Sequence, residues 1–215
     1  VGVAGTAGKT AAAGLLAAIL KAAHFTTGFY RGGCEPLSAR IFVDGSPVDP
    51  VLLTQAADAL AAAKPLPKAA AELAAAACCF GAAGCKLAVV ELPDAGLAAA
   101  LPQMPVCAVT AIGSDGVSRS VERSAALAAG VMREGAVCVT APEQPKPALS
   151  ELIVAAGKTN CELVVPDPED ITFLDAEKLN SKVDYGGYPI PLTFLGRHAV
   201  GNAALAVEQI GRAHV

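Results

Sequence analysis

The sequence predicts an α/β domain: a doubly wound, mostly parallel sheet of the phosphate-loop type, with helices on both faces and a small antiparallel extension. Three observations predict it. Short β-branched runs alternate with alanine-rich helical stretches across all 215 residues, the pattern of successive β–α–β units. The run Leu87-Ala88-Val89-Val90-Glu91 is apolar up to its final carboxylate, as a central parallel strand covered on both faces requires. The chain also opens with the strand-like Val1-Gly2-Val3-Ala4, followed by Gly5-Thr6-Ala7-Gly8-Lys9-Thr10 and a helical stretch.

In order, Val1 to Ala4 reads as a buried strand and Lys9 to Ala23 as a helix. Thr26 to Tyr30 is extended, and Arg40 to Val43 followed by Asp44-Gly45 reads as one arm of a hairpin with its turn. Helices are expected near Pro50 to Ala63 and Pro67 to Ala83, interrupted at Lys64-Pro65-Leu66-Pro67 because proline cannot continue a helix. After the Leu87 to Glu91 strand come a strand at Val106 to Ile112, a helix at Arg119 to Ala129 and a strand at Ala136 to Thr140. A helix near Pro147 to Ala156 leads to a strand at Glu162 to Val165. Ile171 to Leu174 and Tyr188 to Phe194 alternate with period two and form the antiparallel extension. The last helix runs from Ala199 to Ile210. Alanine-rich patches such as Ala69 to Ala77 are helices rather than linkers, given alanine's helix propensity.

Composition excludes several functions. With 53% hydrophobic and 17% charged residues the chain is not disordered. At this length one domain buries roughly 70% of its unfolded surface. A net charge of -4 gives no basic stripe for a nucleic-acid backbone. The most apolar stretch, Ala11 to Leu20 between Lys9 and Lys21, is too short to cross a membrane, which takes about 20 apolar residues. The seven cysteines are odd in number, form no CxxC pair and mostly sit in apolar runs, which points to buried thiols in a reducing cytoplasm. The three histidines are not spaced as a pair, so no zinc site is expected.

The opening loop carries the chemistry. Glycines let the backbone turn and aim several N–H groups at one point, and the helix that follows adds the positive end of its dipole there. Lys9 is placed to reach terminal phosphates, and the Thr10 hydroxyl to ligate Mg²⁺. The strict Walker pattern would have glycine where Val3 stands. The alternative is a glycine turn opening an ordinary helix, with Lys9 solvated. Gly157-Lys158-Thr159 is a helix end rather than a second such loop, since it follows a helix and precedes a strand. Glu91, a carboxylate at the carboxyl end of a buried strand, lies on the sheet edge where a metal ligand is needed. Its alternative is a helix cap or salt-bridge partner.

Val3-Ala4-Gly5-Thr6-Ala7-Gly8-Lys9-Thr10 resembles the phosphate loop of Mur-type ligases. Later segments resemble one branch, the folylpolyglutamate synthase/dihydrofolate synthase family. They are Gly28-Phe29-Tyr30 with Ala39-Arg40-Ile41, Val89-Val90-Glu91, Thr110 to Asp115, Ala129-Gly130-Val131, Val139 to Gln144 and Leu195 to Ala204. They follow in the family's order across nearly the whole chain. The resemblance implies an ATP-dependent carbon–nitrogen ligase that phosphorylates a folate- or dihydropteroate-type carboxylate and passes the acyl group to glutamate. It implies ATP and Mg²⁺ as cofactors. Gly5, Thr6, Ala7, Gly8 and Lys9 would hold the triphosphate, Thr10 and Glu91 the metal, and Asn202 the nucleotide. Lys9 and Glu91 would be the catalytic pair. Asn202 also reads as a cap at the start of its helix.

The chain departs from the family's pattern at several points. Ala7 replaces the loop asparagine, Asp115-Gly116 stands where an Asp-His is expected, and Ala128 stands at the lysine of a second metal site. Gly32-Gly33-Cys34 has lost the substrate loop's Ser-Pro-His, and the stretch after Glu91 is shortened to Leu92-Pro93-Asp94-Ala95-Gly96. The 215 residues match the family's central ATP-binding domain as a single unit. A preceding segment and a closing C-terminal Rossmann-like domain are expected elsewhere. Two other readings stay open: a nucleotide-binding scaffold without ligase turnover, and a cell-wall Mur-type ligase core.

Overall fold

The computed structural model describes residues 1–62, 65–93, 95–100, 104–114, 120–177, 180–192 and 197–212. Eight strands form the main sheet: β1 (Gly2–Ala4), β2 (Thr27–Tyr30), β3 (Ile41–Val43), β4 (Ser46–Pro47), β5 (Leu87–Glu91), β6 (Val106–Val109), β7 (Val137–Thr140) and β8 (Glu162–Val164). Their order is β4-β3-β2-β5-β1-β6-β7-β8. All neighbours from β2 to β8 pair in parallel, and β3 and β4 add an antiparallel margin. Asp44 and Gly45, at φ 48° and 75°, turn β3 into β4. A turn with two residues at positive φ matches the twist of a two-residue hairpin.

The helices are α1 (Lys9–Ala22), α2 (Pro50–Ala61), α3 (Lys68–Ala82), α4 (Val121–Ala128), α5 (Lys146–Thr159) and α6 (Arg197–Arg212). Their ends follow local chemistry. The Asp49 carboxylate caps α2 by accepting from Val51 N at 2.8 Å, with Pro50 in the first turn where its missing N–H costs nothing. Ser120 caps α4 through Arg123 N at 3.3 Å. α5 stops where Asn160 turns left-handed, at φ 51°, so Gly157-Lys158-Thr159 is the last turn of a helix.

Alternate side chains of each strand feed opposite layers. Val3, Val89, Ala108 and Val139 pack against Leu16 and Leu20 of α1 and Leu205 and Ala206 of α6. On the other face Ala4, Val90, Val109 and Cys138 meet Leu73 and Phe80 of α3, Ala125 of α4 and Leu152 of α5. Each fully buried leucine contributes about 1.5–3 kcal/mol relative to an exposed one. The alanines of α1 and α3 lie among these contacts, where small side chains let helix and sheet approach closely.

A second sheet, in the order β11-β10-β9, contains β9 (Ile171–Glu177), β10 (Asn180–Tyr185) and β11 (Tyr188–Leu192), all antiparallel. Val183, Ile171 and Ile190 cover Val200 and Ala203 of α6, and the Tyr185 hydroxyl donates to Glu208 Oε1 at 2.6 Å. Among the described residues no helix is long and apolar enough to cross a membrane. The Asp115-Gly116 pair, Asp94, and Leu195-Gly196 lie outside the described residues.

All seven cysteines are free thiols. Cys79, Cys107, Cys138 and Cys161 are buried, whereas Cys34 and Cys78 are exposed. Burial pushes the Cys79 thiol up, and a hydrogen bond with Cys138, reinforced by burial, holds Cys107 well above the usual thiol range. Since the thiolate is the nucleophile, a disulfide reagent is expected to modify Cys34 and Cys78 first and the buried four only on unfolding. Mass spectrometry of partially labelled protein checks this, and early labelling of Cys107 or Cys138 would contradict the packing.

Candidate functional site

Register puts the candidate residues on one edge. Val3 of β1 pairs with Glu91 of β5, and Ala4 with Val109 of β6. The loop leaving β1 is therefore flanked by the carboxyl ends of both neighbours, where parallel sheets of this kind bind ligands. The loop is tied on one side to the segment after β6. Thr6 N and Ala7 N both donate to Ala111 O at 3.2 Å, and Thr6 Oγ1 donates to the same carbonyl at 2.9 Å. Gly113 N in turn donates to Thr6 Oγ1 at 2.7 Å.

Two glycines are required by the backbone. Gly5 has φ 130°, and a Cβ there would run into Thr110 Oγ1. Gly8 has φ 83°, and its Cβ would lie 2.8 Å from Asn202 Oδ1. Gly8 then stands at the N-terminus of α1, which has no side-chain cap; the first helical bond runs from Ala12 N to Gly8 O at 2.9 Å. The N–H groups of that first turn have no partner within the helix and sit at its positive end. Lys9 Nζ folds back to donate to Gly5 O at 2.9 Å, so the lysine lies over the loop rather than out in solvent.

Thr10 Oγ1 donates to Glu91 Oε2 at 2.9 Å, and Gly32 N donates to the same oxygen at 3.1 Å. Glu91 is 6% exposed and forms no ion pair with an arginine or lysine among the described residues; it accepts from a hydroxyl and a loop amide, not from the backbone N–H groups of a helix start. A hydroxyl and a carboxylate brought together beside a loop that can hold phosphate are hard oxygen donors suited to Mg²⁺. That ion typically takes one or two protein oxygens and completes its shell from phosphate and water. No cluster of three or more His, Cys, Asp or Glu able to hold a metal occurs among the described residues. The donor set thus fits a cation shared with a phosphate ligand, and does not fit an all-protein cage.

Asn202 lies five residues inside α6, not at its start, so a capping role is excluded by geometry. It is buried against Gly8 and forms one end of a cleft of about 360 Å³ whose walls include Pro142, Glu143, Ile171 and Val200. The cleft continues from the loop at Ala7 and Gly8. Its apolar walls and few polar groups suit a flat ring. Gln144 braces the neighbouring segment: its amide donates to Thr110 O at 2.9 Å and Thr140 Oγ1 at 2.8 Å, and accepts from Ile112 N at 3.0 Å.

Beside Gly32 lies a buried polar cluster. Arg40 donates to Tyr30 Oη at 3.0 Å and pairs with Glu72 at 2.9 Å. Burial pushes the Tyr30 hydroxyl up, with Arg40 pulling the other way. Burial opposes the Arg40 charge, but Glu72 and Tyr30 outweigh it and hold the guanidinium above its usual value.

Gly5, Thr6, Ala7, Gly8, Lys9, Thr10, Glu91 and Asn202 are therefore all brought to one edge. The amides of Thr6 and Ala7 are committed to Ala111, which leaves the start of α1 as the part of the loop open to an anion. Ala128 is buried in the α4 layer with no polar atom to offer a ligand. The Ala111 carbonyl, the Gly32 amide and the walls of the cleft were not identified as site elements from the sequence.

The mostly parallel sheet, its helices and the small antiparallel sheet have counterparts among solved structures. Solved structures that share this fold include folylpolyglutamate synthases. The Mycobacterium tuberculosis enzyme complexed with ADP matches with a TM-score of 0.82 and 22% identity, over 100% of this chain and 54% of that one. The Thermotoga maritima enzyme gives a TM-score of 0.84 and 19% identity over 99% and 53%. A folylpolyglutamate synthase complex with AMPPCP and folate gives 0.83 and 19% over 98% and 57%. The chain thus spans about half the length of these structures, and at such identities the likeness is one of fold. No protein-family model and no curated protein sequence matches the chain.

Proposed function

We propose that the chain binds ATP with Mg²⁺ as the nucleotide domain of a ligase resembling folylpolyglutamate synthase/dihydrofolate synthase. That enzyme would join glutamate to a folate- or dihydropteroate-type carboxylate through an acyl phosphate. The observation that carries the reading is the Thr10–Glu91 pair, at 2.9 Å, beside a glycine loop closed by its own lysine. Phosphates would lie against the start of α1, where backbone N–H groups and the helix dipole favour negative charge. Lys9 would leave Gly5 O to neutralise the transferring phosphoryl group. Thr10 and Glu91 would hold the cation, which when bound offsets charge between the terminal phosphates. The ring of the nucleotide would enter the cleft between Pro142 and Val200, with the Asn202 amide at its edge. Gly5, Thr6 and Ala7 would shape the loop more than touch the ligand. The acid and amine sites would be completed by a further domain, since the chain matches only about half of each ligase. Free thiols throughout fit a reducing cytoplasm.

A second reading, nucleotide binding without ligase turnover, is favoured by one observation: the apolar Ala128 occupies the position where the resembled family carries a metal-site lysine. Calorimetry with Mg-ADP separates wild type from Lys9→Ala. The variant should bind about 10- to 100-fold more weakly, as expected for losing one charge-assisted phosphate contact. Absence of binding in wild type defeats both readings. Phosphate release by the full-length protein, stimulated by folate or dihydropteroate plus glutamate, supports the ligase. Binding without such release leaves only the second reading.

A further inference from the structure

We propose that the Arg31 to Arg40 segment positions Glu91, clamped by Arg40 and acting through the Gly32 amide, and thereby sets the divalent-cation affinity of the site. The proposal rests on reading Thr10 and Glu91 as the metal-facing pair. Glu91 Oε2 receives two hydrogen bonds, from Thr10 Oγ1 at 2.9 Å and Gly32 N at 3.1 Å. Two donors on one oxygen fix the rotation of the carboxylate, and among the described residues none donates to Oε1. The opening at residue 32 is narrow: a Cβ there would stand 3.2 Å from Glu91 Oε1 and 3.3 Å from its carboxyl carbon. Any side chain would therefore press on the group whose direction matters.

The segment has little core packing to fix it. Gly33 to Pro36, Ser38 and Ala39 are exposed, and Leu37 is only partly buried. Its shape comes from its base. Arg31 N donates to Arg40 O at 2.8 Å, closing the loop. From there the Arg40 side chain, 4% exposed, reaches three elements at once. Its Nε donates to Glu35 O at 2.9 Å within the loop, one terminal nitrogen donates to Tyr30 Oη on β2 at 3.0 Å, and the other pairs with Glu72 on α3 at 2.9 Å. The planar guanidinium spreads five donors over three nitrogens and so reaches three partners that lie apart, whereas the three donors of an ammonium radiate from a single atom. A buried arginine is thus the anchor of an exposed loop whose inner amide orients Glu91. Partners that orient a metal ligand typically change metal affinity 10- to 100-fold when lost.

The test compares Gly32→Ala and Arg40→Met in the 215-residue chain with wild type. ADP affinity is measured by calorimetry in EDTA and in Mn²⁺, together with the electron paramagnetic resonance spectrum of bound Mn²⁺. The ratio of the two ADP affinities is expected to fall about tenfold in both variants, with a changed Mn²⁺ spectrum, while affinity in EDTA stays within about twofold. If Arg40→Met does not fold, Gly32→Ala alone decides. An unchanged ratio in Gly32→Ala, or equal losses with and without metal, overturns the proposal. Wild type that binds ADP but gains nothing from Mn²⁺ overturns it together with the metal assignment and leaves the nucleotide reading standing. Wild type that binds no ADP overturns all three.

Discussion

Replacing Gly5 with alanine is expected to lower stability by about 2–4 kcal/mol, to reduce the melting temperature by roughly 5–15 °C, and to leave no measurable nucleotide binding. Two costs act together. At φ 130° a residue with a Cβ is strained, which alone costs about 1–3 kcal/mol. The Cβ would also collide with Thr110 Oγ1 and come within 3.0 Å of Thr110 N. Thr110 cannot step aside without loss, because its N–H and hydroxyl both donate to Ala4 O, at 2.9 and 3.2 Å, joining β1 to β6 at the sheet edge. The strain therefore passes either into the sheet or into the loop, and the loop is softer. Displacing it breaks the Lys9 to Gly5 O contact and misaligns the start of α1. Gly14→Ala is the matched control: Gly14 lies inside α1 with open space around its missing Cβ. It should raise stability by about 0.5–1 kcal/mol. A Gly5→Ala protein that melts and binds ADP like wild type would show that the loop is not held against Thr110.

The same residues show what was legible in the sequence. The loop and the central strands were, because their signals are local: glycines at a sharp turn, lysine and threonine behind them, and β-branched runs between helices. Glu91 was legible for the same reason, as the polar end of an apolar run. The partners of Glu91 were not. Gly32 contributes a backbone N–H, which has no signature in a side-chain pattern, and it reaches Glu91 only because β2 and β5 are parallel neighbours in register. The commitment of Thr6 and Ala7 to the Ala111 carbonyl depends likewise on the β1–β6 pairing.

Arg40 was read as the start of a hairpin strand, and nothing in Ala39-Arg40-Ile41 announces a charge buried to 4%. Its partner Glu72 is more than thirty residues away, on a helix whose sequence is otherwise mostly alanine. Asn202 was placed near a helix start by pattern, but α6 begins at Arg197, which turns a possible cap into a buried side chain beside Gly8. Strand β10 escaped because Asn180–Tyr185 is polar at most positions, although Val183 is buried.

Glu91→Gln is expected to separate two effects of opposite sign. Glutamine keeps the shape of the side chain and can accept from Thr10 and Gly32 as the carboxylate does, so the melting temperature should stay within about 2 °C. What it loses is the charge. In the presence of Mg²⁺, ADP affinity should fall about 100-fold, because a neutral amide is a poor ligand for a hard cation. In EDTA the affinity should instead rise severalfold. A unit charge about 4 Å from a phosphate repels it by about 1 kcal/mol even in bulk water, and the substitution removes that repulsion. Destabilisation cannot produce this crossing, since a damaged site weakens binding under both conditions. Nor can a carboxylate that serves only to hold Thr10 and the Gly32 loop, since glutamine preserves both contacts. Parallel titrations with ADP in Mg²⁺ and in EDTA decide the matter. Equal affinities for wild type and Glu91→Gln under both conditions would assign Glu91 to the architecture of the sheet edge and move the metal site elsewhere.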